Sequence, residues 1–275
     1  MGAVHLTVGD LDRSLAYYGD AIGLAARERD GDRVSLGTSE TELLVLVEEP
    51  GATPVRRHTG LFHYALRLPD RADLARWLAH AAQDGVPLVG MSDHFVSEAI
   101  YLTDPDGHGI EIYRDRPPDV WEGQVWSRMT TEPLDVPSLL GELDDPATEP
   151  FDGLPAGTDI GHVHLQVADT AEAITFYRDV LGFELMAELP GSAAFLGAGR
   201  YHHHVGANTW QSRGAGPPPP GSAALRRATI VLPDAGERDR VAGRVADAGG
   251  KPVERPDGVL VRDPSGIALL LAAAD

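Results

Sequence analysis

Apolar and polar positions follow the same pattern twice along the chain. In each copy an alternating stretch leads to an Asp, and a short amphipathic segment follows and ends at a Gly. The copies cover residues 8–24 (VGDLDRSLAYYGDAIGL) and 167–183 (VADTAEAITFYRDVLGF). Alternation with period two is typical of a half-buried strand, and Asp is a favoured residue at helix N-termini. The repeat therefore predicts two copies of a strand-helix module.

Two further pairs of similar segments extend the repeat to four units. The sequence LPD at 68–70 and again at 232–234 stands between a predicted strand and a predicted helix. The turns DPDG at 104–107 and DPSG at 263–266 each lead into a short apolar strand. We therefore predict units at about 2–50, 60–115, 158–211 and 222–273, each ordered as strand, helix and several strands.

The segment between the second and third units has a different composition. Residues 118–157 are rich in Pro, Asp and Glu, which is typical of a connecting segment. We predict a first domain at 1–117, a linker at 118–157 and a second domain at 158–275. The total of 275 residues is long enough for two domains of ordinary size.

Charge and composition exclude several classes of partner. The chain has 42 acidic and 23 basic residues and a net charge of -19, which argues against nucleic acid or an anionic membrane as a partner. It has no cysteine, which fits a reducing cytoplasm. Its start lacks the basic and apolar regions of a signal peptide, and its longest apolar run, 267–274, is too short to span a bilayer. We expect a cytoplasmic protein without a membrane partner, and the sequence allows a homo-oligomer.

The ordered motifs of the chain resemble those of the vicinal oxygen chelate superfamily, the fold of glyoxalase, bleomycin-resistance proteins and extradiol dioxygenases. The resemblance covers nearly the whole chain and is most specific for bacterial catechol 2,3-dioxygenase-like proteins. It rests on GLFHY at 60–64, DPDGHGIEIYRDRP at 104–117, IGHVH at 160–164 and YHHHVGAN at 201–208. It implies an α+β fold in which four βαβββ modules form two half-open, barrel-like pairs.

Two histidines occupy the same place in their units. His63 lies seven residues before the predicted helix cap Asp70, and His162 lies seven before Asp169. At the equivalent positions, the first and fourth units carry Ala3 and Arg227. Neither of those residues is an ordinary metal ligand, so only the second and third units can each supply a histidine from this position.

Glu111 completes a candidate metal-binding set. It lies between apolar residues in the last predicted strand of the second unit, and an acid that faces inward there needs a partner. The fourth unit has Leu270 at the matching position. Two His and one carboxylate on one face leave coordination positions open, which suits non-haem Fe(II). We favour Fe(II), with Mn(II), Zn(II) or Ni(II) as other candidates.

The ligand positions also predict how the units pair. Units two and three must form one barrel-like pair, and units one and four the other. An alternative uses His5, five residues before Asp10, because side chains two positions apart share a face of a strand. If units one and two pair instead, His5, His63 and Glu111 could form the set. We favour His162.

The resemblance implies the acid–base and substrate-binding residues. The family carries an acid–base histidine on the strand that matches 202–210, and the order of residues there points to His203. Tyr101, ten residues before Glu111, matches an active-site tyrosine that assists deprotonation of the substrate or holds it, and His94 is a further candidate for the substrate pocket. We expect the neighbours of His203, at 202 and 204, to point away from it, and the tryptophans at 121, 126 and 210 to pack the linker and strands.

Three functions from different classes fit these residues. The resemblance favours an extradiol dioxygenase that opens a catechol-type aromatic diol with O2. A glyoxalase-type isomerase or lyase commonly uses two His and two Glu, but His203 stands where the second Glu should be. A non-catalytic, drug-sequestering protein needs no metal-binding triad, so the triad counts against that function.

Overall fold

The computed structural model describes residues 1–274, whose strands form two large sheets and one two-stranded pair. Four modules, each ordered strand, helix and three strands, supply all but one short strand of the large sheets. The predicted α+β fold of four βαβββ modules is confirmed. None of the helices within 1–274 is long and apolar enough to cross a membrane.

The first two modules and the short strand between them precede the linker. Module one contains β1 (Gly2–Val8), α1 (Leu11–Tyr17), a π-helical turn (Tyr18–Ile22), β2 (Ala25–Asp30), β3 (Arg33–Gly37) and β4 (Glu42–Glu48). The connecting strand is β5 (Thr53–Pro54). Module two contains β6 (Gly60–Arg67), α2 (Arg71–Gln83), β7 (Gly90–Asp93), β8 (Ser97–Thr103) and β9 (Gly109–Asp115).

The linker has short elements of its own, and two further modules follow it. The linker contains α3 (Pro118–Trp121), α4 (Val125–Arg128), β10 (Glu132–Pro133) and α5 (Val136–Leu140). Module three contains β11 (Asp159–Gln166), α6 (Thr170–Ile174), a π-helical turn (Thr175–Val180), β12 (Glu184–Leu189), β13 (Ala193–Gly197) and β14 (Val205–Asn208). After β15 (Ser222–Ala223), module four contains β16 (Leu225–Leu232), α7 (Ala235–Asp247), β17 (Val253–Arg255), β18 (Gly258–Arg262) and β19 (Ala268–Ala273).

Each large sheet combines a module from either side of the linker. One sheet has the order β17-β18-β19-β16-β1-β4-β3-β2, and the other has the order β10-β7-β8-β9-β6-β11-β14-β13-β12. Antiparallel contacts between β1 and β16 and between β6 and β11 join the modules. The predicted pairing of unit two with three and of unit one with four is confirmed. The boundaries 1–117, 118–157 and 158–275 stay predictions.

Aspartates fix the start of the main helix in all four modules. The side chains of Asp10, Asp70, Asp169 and Asp234 each accept a hydrogen bond from a backbone N–H two or three residues later, at 2.7 to 3.0 Å. Each stands in extended backbone directly before its helix. These caps satisfy donors that a helix N-terminus otherwise leaves unpaired.

Buried tyrosines connect modules that lie in different sheets. The Tyr18 hydroxyl of module one donates to Asp104 Oδ2 in module two at 2.8 Å. In the same way, the Tyr177 hydroxyl of module three donates to Asp263 Oδ2 in module four at 3.1 Å. Both aspartates belong to the Asp-Pro turns, and both tyrosines are fully buried. The repeated Tyr and Asp of the sequence therefore form one repeated contact between the sheets.

We expect Tyr177→Phe to lower the free energy of unfolding by about 1–2 kcal/mol, because Asp263 Oδ2 loses a buried donor. Urea-induced unfolding of the wild type and the variant measures the two free energies of unfolding. The matched control is Tyr17→Phe, whose hydroxyl donates to the Thr103 carbonyl in an exposed hydrogen bond; its change should stay within about 0.5 kcal/mol. Equal losses in the two variants would contradict a special role for the buried contact.

Candidate metal centre and cavity

Three neighbouring strands bring the candidate ligands together. His63 lies on β6, Glu111 on β9 and His162 on β11, and β6 is the central strand of the three. Glu111 Oε2 lies 2.9 Å from His63 Nε2 and 3.2 Å from His162 Nε2. All three side chains are buried, and one ligand atom from each lies within 4.8 Å of the others. Atoms this close can all bind one ion.

A small residue lets two of these side chains meet. Ala65 on β6 pairs with Glu111 on one side and with His162 on the other. Because the buried side chain of Ala65 is only a methyl group, the longer side chains of Glu111 and His162 can meet over it. The β6–β11 register shifts between Ile160 and His162, where a bulge forms around Gly161. A side chain at Gly161 would put its Cβ 1.8 Å from the Tyr113 hydroxyl.

The charge states of the cluster suit a metal ion. Burial by itself raises the pKa of the Glu111 carboxyl, but the contacts with His162 and His63 outweigh it and hold that pKa well below its usual range. Burial lowers the pKa of His162, against the opposing effect of Glu111. An ionised carboxylate and a neutral imidazole are the forms that bind metals. His63 Nε2 is buried, and its 2.9 Å contact with Glu111 Oε2 is not aligned as a hydrogen bond.

The alternative in which His5 replaces His162 disagrees with the structure. His5 lies on β1, in the other large sheet, and its Nε2 lies 3.3 Å from Arg227 Nη2. Burial and the neighbouring Arg227 lower the pKa of His5 to about 3. The physical reason is the pairing of module one with module four, which places His5 opposite Arg227 instead of beside Glu111.

Tyr101 and His94 lie together at one side of the cluster. Tyr101 on β8 pairs with Glu111 on β9, and its ring centroid is 5.5 Å from that of His63. The Tyr101 hydroxyl lies 2.7 Å from His94 Nε2, and His94 Nδ1 lies 2.7 Å from the Thr130 carbonyl oxygen. Because a carbonyl can only accept, Nδ1 carries the proton of a neutral His94, and Nε2 accepts from Tyr101. Burial and Glu111 raise the pKa of Tyr101 well above its usual value.

His203 lies on the opposite side, against His162. Their ring centroids are 4.2 Å apart, and the Phe195 ring packs against His203 at 5.2 Å. Burial, and then His162, lower the pKa of His203 well below its usual value, so the ring is neutral. The predicted strand 202–210 is shorter than expected: β14 begins at Val205, and the three histidines precede it.

The expectation that both neighbours of His203 point away from it was wrong for His202. His202 Nδ1 lies 2.8 Å from His203 Nδ1, in the interior. His204 does turn elsewhere, because its Nδ1 accepts a hydrogen bond from the Ala198 N–H at 3.2 Å. Simple strand alternation failed here because these residues lie before the strand and not within it.

His164, two residues after His162 on β11, also lies at the cluster. Its ring centroid is 5.0 Å from that of His63, and its Nε2 is buried without a hydrogen-bond partner. Gly206 on the adjacent β14 makes room for it, since a Cβ at Gly206 would lie 2.8 Å from His164 Cγ. The two-residue spacing from His162 could have revealed this placement.

The cluster opens on a cavity of about 670 Å³. Besides the cluster, it is lined by residues that are mainly apolar or aromatic, notably Phe62, Val89, Leu102, Ile110, Trp126, Met129, Leu189, Phe195 and Trp210. Trp126 and Trp210 keep 62% and 51% of their surface exposed. Both line the cavity, and the Trp210 ring also packs against Phe62 with a centroid distance of 5.2 Å. No sequence register could place Trp126, since it belongs to the irregular linker.

Comparison with known proteins gives the same fold. The sequence model of the Glyoxalase/Bleomycin resistance protein/Dioxygenase superfamily matches residues 1–112 and 159–271. A protein named Catechol-2,3-dioxygenase from Bacillus subtilis (strain 168) is 43% identical over 270 residues, which cover 96% of this chain and 93% of that protein.

Two solved structures are similar over 99% of this chain. A putative dioxygenase from Bacillus subtilis subsp. subtilis str. 168 has a TM-score of 0.65 at 15% identity, with 85% of that chain covered. Glyoxalase I from Zea mays has a TM-score of 0.62 at 18% identity, with 92% of that chain covered. At such identities these two likenesses concern the fold alone. With the family match across four βαβββ modules, they lead to one conclusion: the chain belongs to the Glyoxalase/Bleomycin resistance protein/Dioxygenase superfamily.

Proposed function

We propose that this protein is an extradiol dioxygenase, which uses Fe(II) and O2 to open a catechol-type aromatic ring beside its two hydroxyl groups. The observation that carries the proposal is the buried set of His63, Glu111 and His162 at the floor of an aromatic-lined cavity. The relative that is 43% identical and is named Catechol-2,3-dioxygenase supports it. A cytoplasmic location and self-association stay predictions.

The donor set fits Fe(II). The two imidazoles and the carboxylate, from adjacent strands, would hold the ion, and this donor set is the one that suits non-haem Fe(II). Bound there, Fe(II) supplies the electron-transfer chemistry by which O2 can react with an electron-rich diol ring. Mn(II), Zn(II) and Ni(II) are ions that the same donors can hold. The protein surrounds these donors with buried side chains, which keep bulk water away from the reacting groups.

We assign the proton transfers of the reaction to His203 and Tyr101. His203 is buried and neutral, so it can take a proton from a substrate hydroxyl and return it after the ring has opened. Tyr101 stays protonated, and its donation to His94 fixes the orientation of its oxygen beside Glu111. We propose that Tyr101 and His94 bind the diol from the side opposite His203.

The cavity wall favours a diol with an apolar substituent. Its volume of about 670 Å³ exceeds what a single six-membered ring needs. Trp126 of the linker and Leu189 and Trp210 of module three stand exposed around it and offer apolar surface to a ligand. Contact between such surfaces and a substituent removes both from water, which contributes binding free energy.

The two other functions fit the site less well. Glyoxalase-type chemistry with two His and two Glu lacks its second carboxylate in the cluster, where His203 lies against His162 instead. A drug-sequestering role does not explain why Glu111 is buried beside two histidines. A charge buried without function is costly to the fold.

We expect anaerobic reconstitution of the protein with Fe(II), followed by catechol and air, to give a yellow ring-opened product. Under the same conditions His162→Gln should lose bound iron and product, whereas His5→Gln should keep both, because His5 lies in the other sheet. Iron content is measured by elemental analysis and product by absorbance. Full iron loading without product from any of several catechols would overturn the proposed function.

We expect His203→Gln to bind iron normally but to lower kcat by roughly a hundredfold or more, because glutamine cannot take up the substrate proton. The control His58→Gln changes a histidine outside the cavity lining and should behave like the wild type. Steady-state kinetics with catechol and iron analysis separate the two effects. Loss of iron in His203→Gln would instead make His203 a ligand.

We expect Trp126→Ala to raise KM for a 4-alkylcatechol by about fivefold to tenfold and to change KM for catechol much less, because only the alkyl group loses apolar contact. Val231→Ala serves as control, since Val231 is an exposed apolar residue of the other large sheet. Equal changes for the two substrates would argue against the substituent site.

A further inference from the structure

A chain of buried polar groups leads from His203 away from the cavity. His203 Nδ1 lies 2.8 Å from His202 Nδ1, and His202 Nε2 lies 2.7 Å from Asp115 Oδ1. His203 lines the cavity, whereas His202 and Asp115 do not. The chain therefore connects the buried imidazole of His203, which lines the cavity, to a half-buried carboxylate outside the cavity lining.

Asp115 is held as an acceptor. Burial raises the pKa of its carboxyl, but the hydrogen bond and the charge interaction with His202, the hydrogen bond from Tyr201 and the charge of Arg67 outweigh that effect and lower the pKa. Tyr201 donates to Asp115 Oδ2 at 2.8 Å, and Arg67 Nη1 pairs with the same oxygen at 3.2 Å. An ionised carboxylate accepts hydrogen bonds and cannot donate. The proton between Asp115 and His202 therefore sits on His202 Nε2.

The position of the proton between His202 and His203 depends on the contact between His202 and Asp115. A neutral imidazole has one N–H and one lone pair, so a His202 that carries its proton on Nε2 has its lone pair on Nδ1. For such a neutral His202, the proton in the 2.8 Å contact between the two Nδ1 atoms comes from His203. A neutral His203 with its proton on Nδ1 has its lone pair on Nε2, the nitrogen that does not face His202.

We propose that His202 is neutral and acts as a positioning residue, which accepts a hydrogen bond from His203 Nδ1–H and so presents the Nε2 lone pair of His203 to the substrate. This rests on the proposed function of His203 as the acid–base group. Without an acceptor at His202, His203 could carry its proton on either nitrogen, and the form with Nε2–H cannot take a proton from a hydroxyl there. His202 thus keeps the base in its reactive form.

Neighbouring aromatic side chains hold the His202 ring in place. Its ring is fully buried, and the rings of Tyr201 and Trp121 pack against it with centroids at 4.1 and 5.3 Å. Trp121 belongs to the linker helix α3 and donates its indole N–H to the Arg116 carbonyl at 2.8 Å. The imidazole is therefore held by two aromatic rings and by a contact at each nitrogen.

The first test reads the tautomer of His203 directly, in metal-free protein labelled with 15N-histidine at pH 7.5. Two-bond 1H–15N correlations distinguish a protonated ring nitrogen from a bare one, and His203→Gln identifies the signals of His203. We expect His203 with Nδ1 protonated and Nε2 bare in the wild type. A wild-type His203 with its proton on Nε2, or a doubly protonated His202, would overturn the proposal without any variant or activity assay.

The second test compares two substitutions of nearly equal size. His202→Asn keeps an oxygen that can accept from His203 Nδ1, whereas His202→Leu offers no acceptor. We expect His202→Leu to lower kcat roughly tenfold to a hundredfold, with KM and iron content unchanged, and to shift His203 toward the Nε2–H tautomer. His202→Asn should keep the wild-type tautomer and a kcat close to wild type.

The control for this pair is His204→Asn, which changes the next histidine along the chain and should leave kcat and the His203 signals unchanged. Equal losses of kcat in His202→Asn and His202→Leu, with the tautomer unchanged in both, would show a purely structural role and contradict the proposal. If iron-loaded wild type gives no ring-opened product, the proposed function fails, whereas the tautomer measured by NMR still decides the arrangement of His202 and His203.

Discussion

The antiparallel contact between β6 and β11 is the interaction on which the candidate site depends. It joins strands whose paired residues lie about a hundred positions apart in the chain, such as His63 and His164. Through it β9, β6, β11 and β14 become neighbours in one sheet. Each of the first three strands then contributes one ligand of the cluster. Without this contact, Glu111 and His63 would remain on one half of the chain and His162 on the other.

Charged groups at the edge of the site reinforce the same contact. Arg67 at the end of β6 pairs with Asp115 of β9 and donates two hydrogen bonds to Asp159 of β11, so one guanidinium joins three adjacent strands. Asp115 then holds His202, which contacts His203. Planar, multidentate donation suits arginine better than lysine for such a role. The ion pairs between these strands are thus connected through Asp115 and His202 to His203, the proposed acid–base residue.

The linker contributes more than a connection. Its α4 carries Trp126, and the following residues supply Met129, Thr130 and Thr131 to the cavity wall. The Thr130 carbonyl oxygen also fixes the tautomer of His94, which in turn holds Tyr101. A segment that is rich in Pro and acidic residues has no periodic pattern, so its contacts depend on where the two sheets leave it. Part of the cavity wall therefore lies outside the four repeated modules.

The sequence by itself determined the four modules, their helix caps and the identity of the three candidate ligands. The reason is that period-two alternation, capping Asp residues and the shared register of His63 and His162 are local properties that repeat. Tertiary structure decided the rest. Only the pairing of sheets removed His5 from the site, and only packing turned His202 toward His203, because residues outside a regular strand follow no alternation. Tyr101, Glu111, Ala65 and His162 are paired side by side on four adjacent strands. This alignment also exists only once the four strands have paired.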